Sequence, residues 1–147
     1  MMHNLDFLID MCKKGRRMNL AVACPYGDDV LGAVCEAHKL GLINGLLIGN
    51  PKNIRAKAEE HGFDLAGLSL IEEKDDYSAT EKAVQMVSSG DADLLMKGLI
   101  KTATLLHAVL NKEWGLRTGS LLSHLFLFEI PLLQKRVIGI SDGGMNM

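Results

Sequence analysis

The chain has 147 residues, of which 48% are hydrophobic, and its formal net charge is −2. This length suffices for one domain with a hydrophobic core, and the near-neutral charge disfavours nucleic acid as the main partner, because duplex-binding proteins usually carry a strong basic excess. The sequence contains no uninterrupted apolar run of the roughly 18 residues that a membrane-spanning helix requires.

Helical and extended patterns alternate along the chain, an order typical of a parallel sheet with helices on its faces. Helices are predicted at 5–14, 28–40, 51–61, 78–90 and 102–111. Strands are predicted at 19–24, 45–49, 68–72, 92–96, 121–130 and 137–140. We therefore predict an α/β fold: a three-layer, open, mostly parallel sheet with helices on both faces.

Residues that favour helix ends mark several of these boundaries. Asp28 or Asp29 is expected to cap the second helix, and Pro51 opens the third at a position that proline tolerates. The third helix is expected to end before Gly62. The spacing of residues 78–81 (SATE) predicts a capping box at the start of the fourth helix.

The segment 96–104 (MKGLIKTAT) places a glycine and two lysines between a predicted strand and a predicted helix. Free backbone N–H groups, the positive end of a helix dipole and two ammonium groups suit an anion such as phosphate. A solvated surface turn is the alternative interpretation. We predict that phosphate is bound by Lys97, Gly98, Lys101, Thr102 and Thr104.

A second glycine-rich segment follows, in which Arg117 lies between Gly115 and Gly119. The backbone can approach a ligand closely there, and a guanidinium can hold phosphate or a thioester oxygen through two hydrogen bonds. We predict that Arg117 is the catalytic residue. The alternative is a loop arginine paired with Glu113 or water.

Three further residues are candidates for substrate binding: Ser123, His124 and Asp142. Ser123 and His124 fall within a predicted strand, where neighbouring side chains point to opposite faces, so adjacency does not make them a nucleophile–base pair. Asp142 follows the last predicted strand and is placed either to act on a ligand or to cap a following helix. His107 is predicted on a polar helix face near the phosphate end.

Ligands of open α/β sheets collect at the carboxyl ends of the strands. The loops expected there are 25–29, 50–51, 73–78, 97–102 and 141–144. Neither a P-loop nor a G-x-G-x-x-G fingerprint nor a zinc-binding H-E-x-x-H motif occurs in the sequence. The odd cysteine count and the lack of a secretory signal pattern predict reduced thiols in a cytoplasmic protein.

The second half of the sequence resembles the phosphate acetyl/butyryltransferase family, most closely its butyryl branch. The matching motifs are ADLLMKG at 92–98, TAT at 102–104, AVLNKE at 108–113, GLRTG at 115–119, LLSH at 121–124, and Asp142 with Met145-Asn146. The first half agrees mainly in its order of strands and helices.

The resemblance implies reversible transfer of a short-chain acyl group, butyryl in this branch, between coenzyme A and inorganic phosphate, without a metal or a separate cofactor. It implies an isopropylmalate dehydrogenase-like fold of two α/β domains, with residues 1–147 as the first half and the second half absent. The family's acetyl branch carries an arginine on the helix after the K-G turn. Here that helix carries His107, so Arg117 is the better match.

The last predicted strand leads into a glycine loop where a helix would usually follow, so we expect a longer protein. Apolar surface left by a missing half predicts a homo-oligomer. Two alternatives to an enzyme stay open at this point: a noncatalytic ligand-binding or regulatory α/β domain, and an inactive fragment.

Overall fold

A computed structural model of the chain describes residues 5–130 and 136–143. The Met145-Asn146 motif and the predicted loop beyond residue 143 lie outside these residues. The chain forms two compact units, Arg17–Arg117 and a second built from Met1–Arg16 with Thr118–Met147. In chain order the elements are α1 (Leu5–Lys13), β1 (Met18–Ala23), α2 (Asp28–Lys39), β2 (Ile43–Gly49), α3 (Pro51–His61), β3 (Ser69–Glu72), α4 (Asp76–Ser89), β4 (Leu94–Lys97), α5 (Thr102–Val109), β5 (Leu125–Ile130) and β6 (Arg136–Ser141).

The larger unit is built on a four-stranded sheet with the order β3-β2-β1-β4, and all of its strand pairs are parallel. Ala23 in β1 lies opposite Ile48 of β2 and Lys97 of β4. The strands therefore end at one common edge, which confirms the predicted parallel sheet and brings the loops that follow these strands to one side.

Large aliphatic side chains fill one face of this sheet. Leu20 and Val22 alternate along β1 and pack with Leu47 of β2 against Leu31 of α2 and Ile54 of α3. Val22, Leu31, Leu47 and Ile54 are fully buried. Burial of this kind contributes roughly 1.5–3 kcal/mol for each aliphatic side chain, which makes this face the main core of the unit.

Small side chains fill the other face. Ala21 and Ala23 of β1 pack with Ala79 and Ala83 of α4, and all four are fully buried. Alanine at these positions lets α4 approach the sheet closely, and α5 packs in turn against α4. With helices on both faces, the three-layer prediction is confirmed.

The predicted start of the fourth helix and the predicted cap of the second are wrong. Helix α4 begins at Asp76 because the Asp75 carboxylate accepts hydrogen bonds from the Tyr77 and Ser78 amides, each at 2.9 Å, so the capping box joins Asp75 and Ser78. Helix α2 is capped by Gly27 without a side-chain hydrogen bond, and neither Asp28 nor Asp29 caps it.

The ends of α3 are as predicted. Pro51 is its first residue, and the Asn50 side chain accepts hydrogen bonds from the amides of Lys52 and Asn53. The helix ends at Gly62, which adopts a left-handed conformation with φ 69°. Glycine takes this conformation without the steric cost that other residues incur.

The smaller unit contains α1 and an antiparallel pair, β5 and β6, in which Leu125 lies opposite Ser141 and Ile130 opposite Arg136. Two predictions fail here. Strand β5 begins only at Leu125, so residues 123 and 124 precede it. Strand β6 pairs with β5 in a separate two-stranded sheet, so the loop after β6, contrary to the prediction, does not follow a strand of the parallel sheet. No helix within the described ranges has the length and hydropathy of a membrane span.

The alanine face gives a test of the fold. Ala83→Leu inserts a larger side chain between α4 and β1, where it has no room, and should lower the free energy of unfolding by about 1–3 kcal/mol. Ala103→Leu, at an exposed position of α5, should change it by no more than about 0.5 kcal/mol. Urea denaturation of both variants measures the difference. Equal effects would contradict the close packing of α4 on the sheet.

Candidate anion-binding site

The lysine turn (residues 97–101) connects β4 to α5 at the carboxyl edge of the parallel sheet. The Gly98 amide donates to the Ala23 carbonyl at 2.8 Å, and the Leu99 amide donates to the Cys24 carbonyl at 2.9 Å. These hydrogen bonds continue the pairing of β4 with β1 beyond the last strand residue. The turn is therefore fixed against the end of β1.

Gly98 is buried and lies directly against the backbone of β1 and of the residue that follows it. A Cβ atom at this position would lie 2.5 Å from the Ala23 carbonyl oxygen and would also overlap the Cys24 carbonyl group. Only glycine fits such an approach of two backbones. The close contact with β1 thus explains why a glycine follows Lys97.

Lys97 is exposed, and its ammonium group donates hydrogen bonds to carbonyl groups within the lysine turn. The Nζ atom donates to the Ile100 carbonyl at 3.0 Å and to the Gly98 carbonyl at 3.3 Å. An ammonium group has three donors, so one remains for a ligand. Lys97 therefore stabilises the turn itself, a contribution that the sequence pattern did not reveal.

The start of α5 carries unpaired amides. Lys101 is the N-cap residue and makes no side-chain capping hydrogen bond. Its carbonyl accepts from the Thr104 amide at 3.0 Å and from the Leu105 amide at 3.3 Å, whereas the Thr102 and Ala103 amides find no acceptor within the described part of the chain. Free N–H groups, the positive end of the helix dipole and the exposed Lys101 side chain thus coincide, which is what an anion requires.

Arg117 lies near the other end of α5. The Leu116 amide donates to the Val109 carbonyl at 2.7 Å, and Val109 is the last residue of the helix. Eight helical residues span about 12 Å, and this separates the backbone of Arg117 from the free amides. Arg117 is exposed, and no ion pair joins it to Glu113 in the described structure.

His107 belongs to the last turn of α5 and not to its start. The prediction that His107 lies near the phosphate end is therefore wrong. His107 is five positions after Thr102, and this places it more than one helical turn away along the axis.

The remaining predicted site residues lie in the smaller unit. The Asp142 amide donates to the His124 carbonyl at 2.9 Å, and the Asp142 carboxylate accepts from the His124 amide at 3.1 Å. The carboxylate therefore contacts the backbone of His124. The ring Nδ1 atom of His124 is buried without a hydrogen-bond partner among the described residues. Ser123 is exposed.

Two residues that the sequence analysis did not select also lie at the carboxyl edge of the parallel sheet. Cys24 is fully buried and has a left-handed φ of 54°. The Tyr26 hydroxyl accepts a hydrogen bond from the Asn50 amide at 2.8 Å. Burial, together with the negative charge of Asp76, raises the pKa of the Cys24 thiol to about 12. The signal for these residues was the C-P-Y-G segment after β1, which by itself predicts only a loop.

A cavity of about 930 Å³ lies elsewhere in the larger unit, between α2 and the loop that precedes β3. Cys35, His38, Phe63 and Asp64 contribute to its lining, and none of the predicted site residues does. Within the described ranges, no group of three or more metal-binding side chains is placed to hold a metal ion.

Solved structures share this fold. A branched-chain phosphotransacylase from Enterococcus faecalis V583 matches with a TM-score of 0.64 and 22% identity over 88% of this chain and 43% of that one. A phosphotransacetylase from Streptococcus pyogenes matches with a TM-score of 0.69 and 16% identity over 88% of this chain and 49% of that one. At these identities the likeness shows the fold alone, and the isopropylmalate dehydrogenase-like label stays a prediction.

The sequence comparisons are more specific. Residues 76–147 match the family model described as phosphate acetyl/butaryl transferase. Phosphate butyryltransferases from Clostridium beijerinckii and Clostridium acetobutylicum are 39% and 37% identical, each over 99% of this chain and 48% of the relative. A phosphate acetyltransferase from Rhizobium meliloti is 36% identical over 86% of this chain and 40% of the relative. The chain spans about half the length of these relatives. The family-model match and the identity over nearly the whole chain confirm its resemblance to the phosphate acetyl/butyryltransferase family.

Proposed function

We propose that this protein transfers a short-chain acyl group between coenzyme A and inorganic phosphate, and that phosphate binds at the start of α5. The observation that carries the proposal is the unpaired Thr102 and Ala103 amides beside the Lys101 side chain. Backbone N–H groups at a helix start and an adjacent cation form a site for a phosphate dianion. Similarity to the phosphate acetyl/butyryltransferase family supplies the reaction class.

The chemistry needs a positioned nucleophile and a stabilised oxyanion. A phosphate oxygen bonds to the thioester carbon, the carbon–sulfur bond then breaks, and its electron pair leaves with sulfur as the coenzyme A thiolate. Lys101 and the free amides hold phosphate in place, so that an encounter between two substrates becomes an oriented one. Arg117 is proposed to stabilise the negative charge that develops on the carbonyl oxygen. Its backbone lies beyond the far end of α5, so this role requires its long side chain and the bound substrates together to span about 12 Å.

Butyryl is the proposed acyl group. The two Clostridium relatives are named phosphate butyryltransferases, and they align over nearly the whole of this chain. The Rhizobium meliloti relative is named for acetyl transfer, so both acyl lengths occur among the relatives. Comparing butyryl-, propionyl- and acetyl-coenzyme A as substrates decides between them.

Ser123, His124 and Asp142 are proposed as further substrate contacts. The support for this is that the Asp142 carboxylate already lies beside the His124 backbone, and that the imidazole of His124 leaves a buried nitrogen unpaired among the described residues. An unpaired buried nitrogen is costly, and a hydrogen bond from a ligand would remove that cost.

Phosphate binding gives the first test of this proposal. Lys101→Ala removes one charge-assisted hydrogen bond at an exposed site, so the Kd for inorganic phosphate should rise roughly tenfold, equivalent to about 1.5 kcal/mol. Isothermal titration of the 147-residue chain with phosphate measures it. Lys112→Ala, an exposed lysine just beyond the other end of α5, is the matched control and should bind phosphate as the original chain does. Equal Kd values for the two variants would remove Lys101 from the site.

Acyl transfer gives the second test. Arg117→Ala should lower kcat/KM roughly 30- to 900-fold. This factor corresponds to a loss of about 2–4 kcal/mol of transition-state stabilisation, as for loss of an oxyanion donor. The measurement is release of the coenzyme A thiol from butyryl-coenzyme A in the presence of phosphate. Arg55→Ala, on an exposed position of α3, is the control and should keep full activity.

The same assays separate the other interpretations of the chain. Saturable phosphate binding without thiol release from any of the three acyl-coenzyme A substrates would favour a ligand-binding domain. Absence of saturable heat with both phosphate and coenzyme A would favour an inert fragment.

A further inference from the structure

Cys24 connects β1 to the loop at the edge where the lysine turn lies, and its backbone is unusual. It is fully buried and its φ of 54° lies in the left-handed region. Residues other than glycine, asparagine and aspartate rarely adopt this conformation, because Cβ crowds the following carbonyl. Such residues persist only where their surroundings hold them, and they cluster at functional sites.

The surroundings of Cys24 hold it from several sides. Its amide donates to the Ile48 carbonyl at 2.9 Å, and its carbonyl accepts from the Leu99 amide at 2.9 Å and from the Tyr26 amide at 2.8 Å. Its Sγ atom donates to the Asp76 carbonyl at 3.6 Å. One residue thus joins the end of β2, the loop after β1, the start of α4 and the lysine turn.

The thiol of Cys24 is protonated and buried. Its pKa is raised to about 12 by burial and by the charge of Asp76, so the sulfur stays protonated at neutral pH. A protonated, buried thiol is a poor nucleophile. The contribution of Cys24 that the geometry shows is the direction of its carbonyl group, which accepts from the Leu99 and Tyr26 amides.

We propose that Cys24 is a positioning residue of the anion site: its left-handed backbone directs its carbonyl to the Leu99 amide and so holds the lysine turn where the first amides of α5 are free. The inference rests on the proposed function, because it assigns the positioned amides to phosphate. A residue that cannot adopt a positive φ would turn the carbonyl away, and the lysine turn would lose its attachment to β1.

The test compares substitutions at position 24 that differ in backbone freedom. Cys24→Gly accepts a positive φ freely, and Cys24→Ala removes the thiol without adding branching, so both should bind phosphate within about twofold of the original chain. Cys24→Val carries a β-branched side chain that resists a positive φ, and its Kd for phosphate should rise at least tenfold. Cys35→Val, at a half-buried position of α2, is the control and should bind normally. Normal phosphate binding by a folded Cys24→Val chain would overturn the inference.

A second pair of variants tests the same link from the exposed side, in case Cys24→Val does not fold. Leu99 is 67% exposed. Leu99→Pro removes the amide that donates to the Cys24 carbonyl, and Leu99→Ala keeps it. Phosphate affinity should fall about tenfold or more in Leu99→Pro alone. Equal affinities in the two variants would overturn the inference.

Amide hydrogen exchange separates a failure of this inference from a failure of the proposed function. If the original chain binds no phosphate, the proposed function fails, and the positioning role is judged by the Leu99 amide. That amide should be protected in the original chain and in Cys24→Ala, and it should exchange at least tenfold faster in Cys24→Val. Unchanged Leu99 protection in Cys24→Val would refute the positioning role whatever the phosphate result.

Discussion

The contact of the Gly98 backbone with the carbonyls of Ala23 and Cys24 determines where the candidate anion site lies. Because no side chain intervenes, the end of β4 lies against the end of β1, and two amides of the lysine turn donate to β1 carbonyls in succession. Helix α5 then starts only a few residues beyond the sheet edge, so its free amides lie where ligands of parallel sheets collect. A bulkier residue at position 98 would separate the two backbones.

The two faces of the sheet contribute differently to this arrangement. Large aliphatic residues bury α2 and α3 on one face and supply most of the apolar area. The opposite face is lined by alanines such as Ala21 and Ala83, which lets α4 lie close to β1 and bring the Asp76 carbonyl to the Cys24 thiol. The close packing of α4 thus helps to hold the one residue of the edge whose backbone is strained. Packing and site geometry are connected through Cys24.

The site residues chosen from the sequence fall into three groups in the structure. Gly98, Lys101 and Thr102 lie together on the lysine turn and the start of α5, as the local pattern indicated. Arg117 follows a segment attached to the far end of the same helix, while Asp142 belongs to a different compact unit. The relatives are about twice as long as this chain.

The sequence by itself determined the parallel α/β fold and most element positions, because these depend on local periodicity and glycine placement. It also singled out the lysine turn as a candidate anion site, because glycine and charge coincide there. It also marked the C-cap at Gly62. Only the tertiary structure decided that β6 pairs antiparallel with β5, since a strand's apolar pattern does not specify its partner. The left-handed backbone of Cys24 was likewise decided by neighbours distant in sequence. The hydrogen bond from the Lys97 ammonium to the Ile100 carbonyl depends on the geometry of the turn, which residue types alone do not encode.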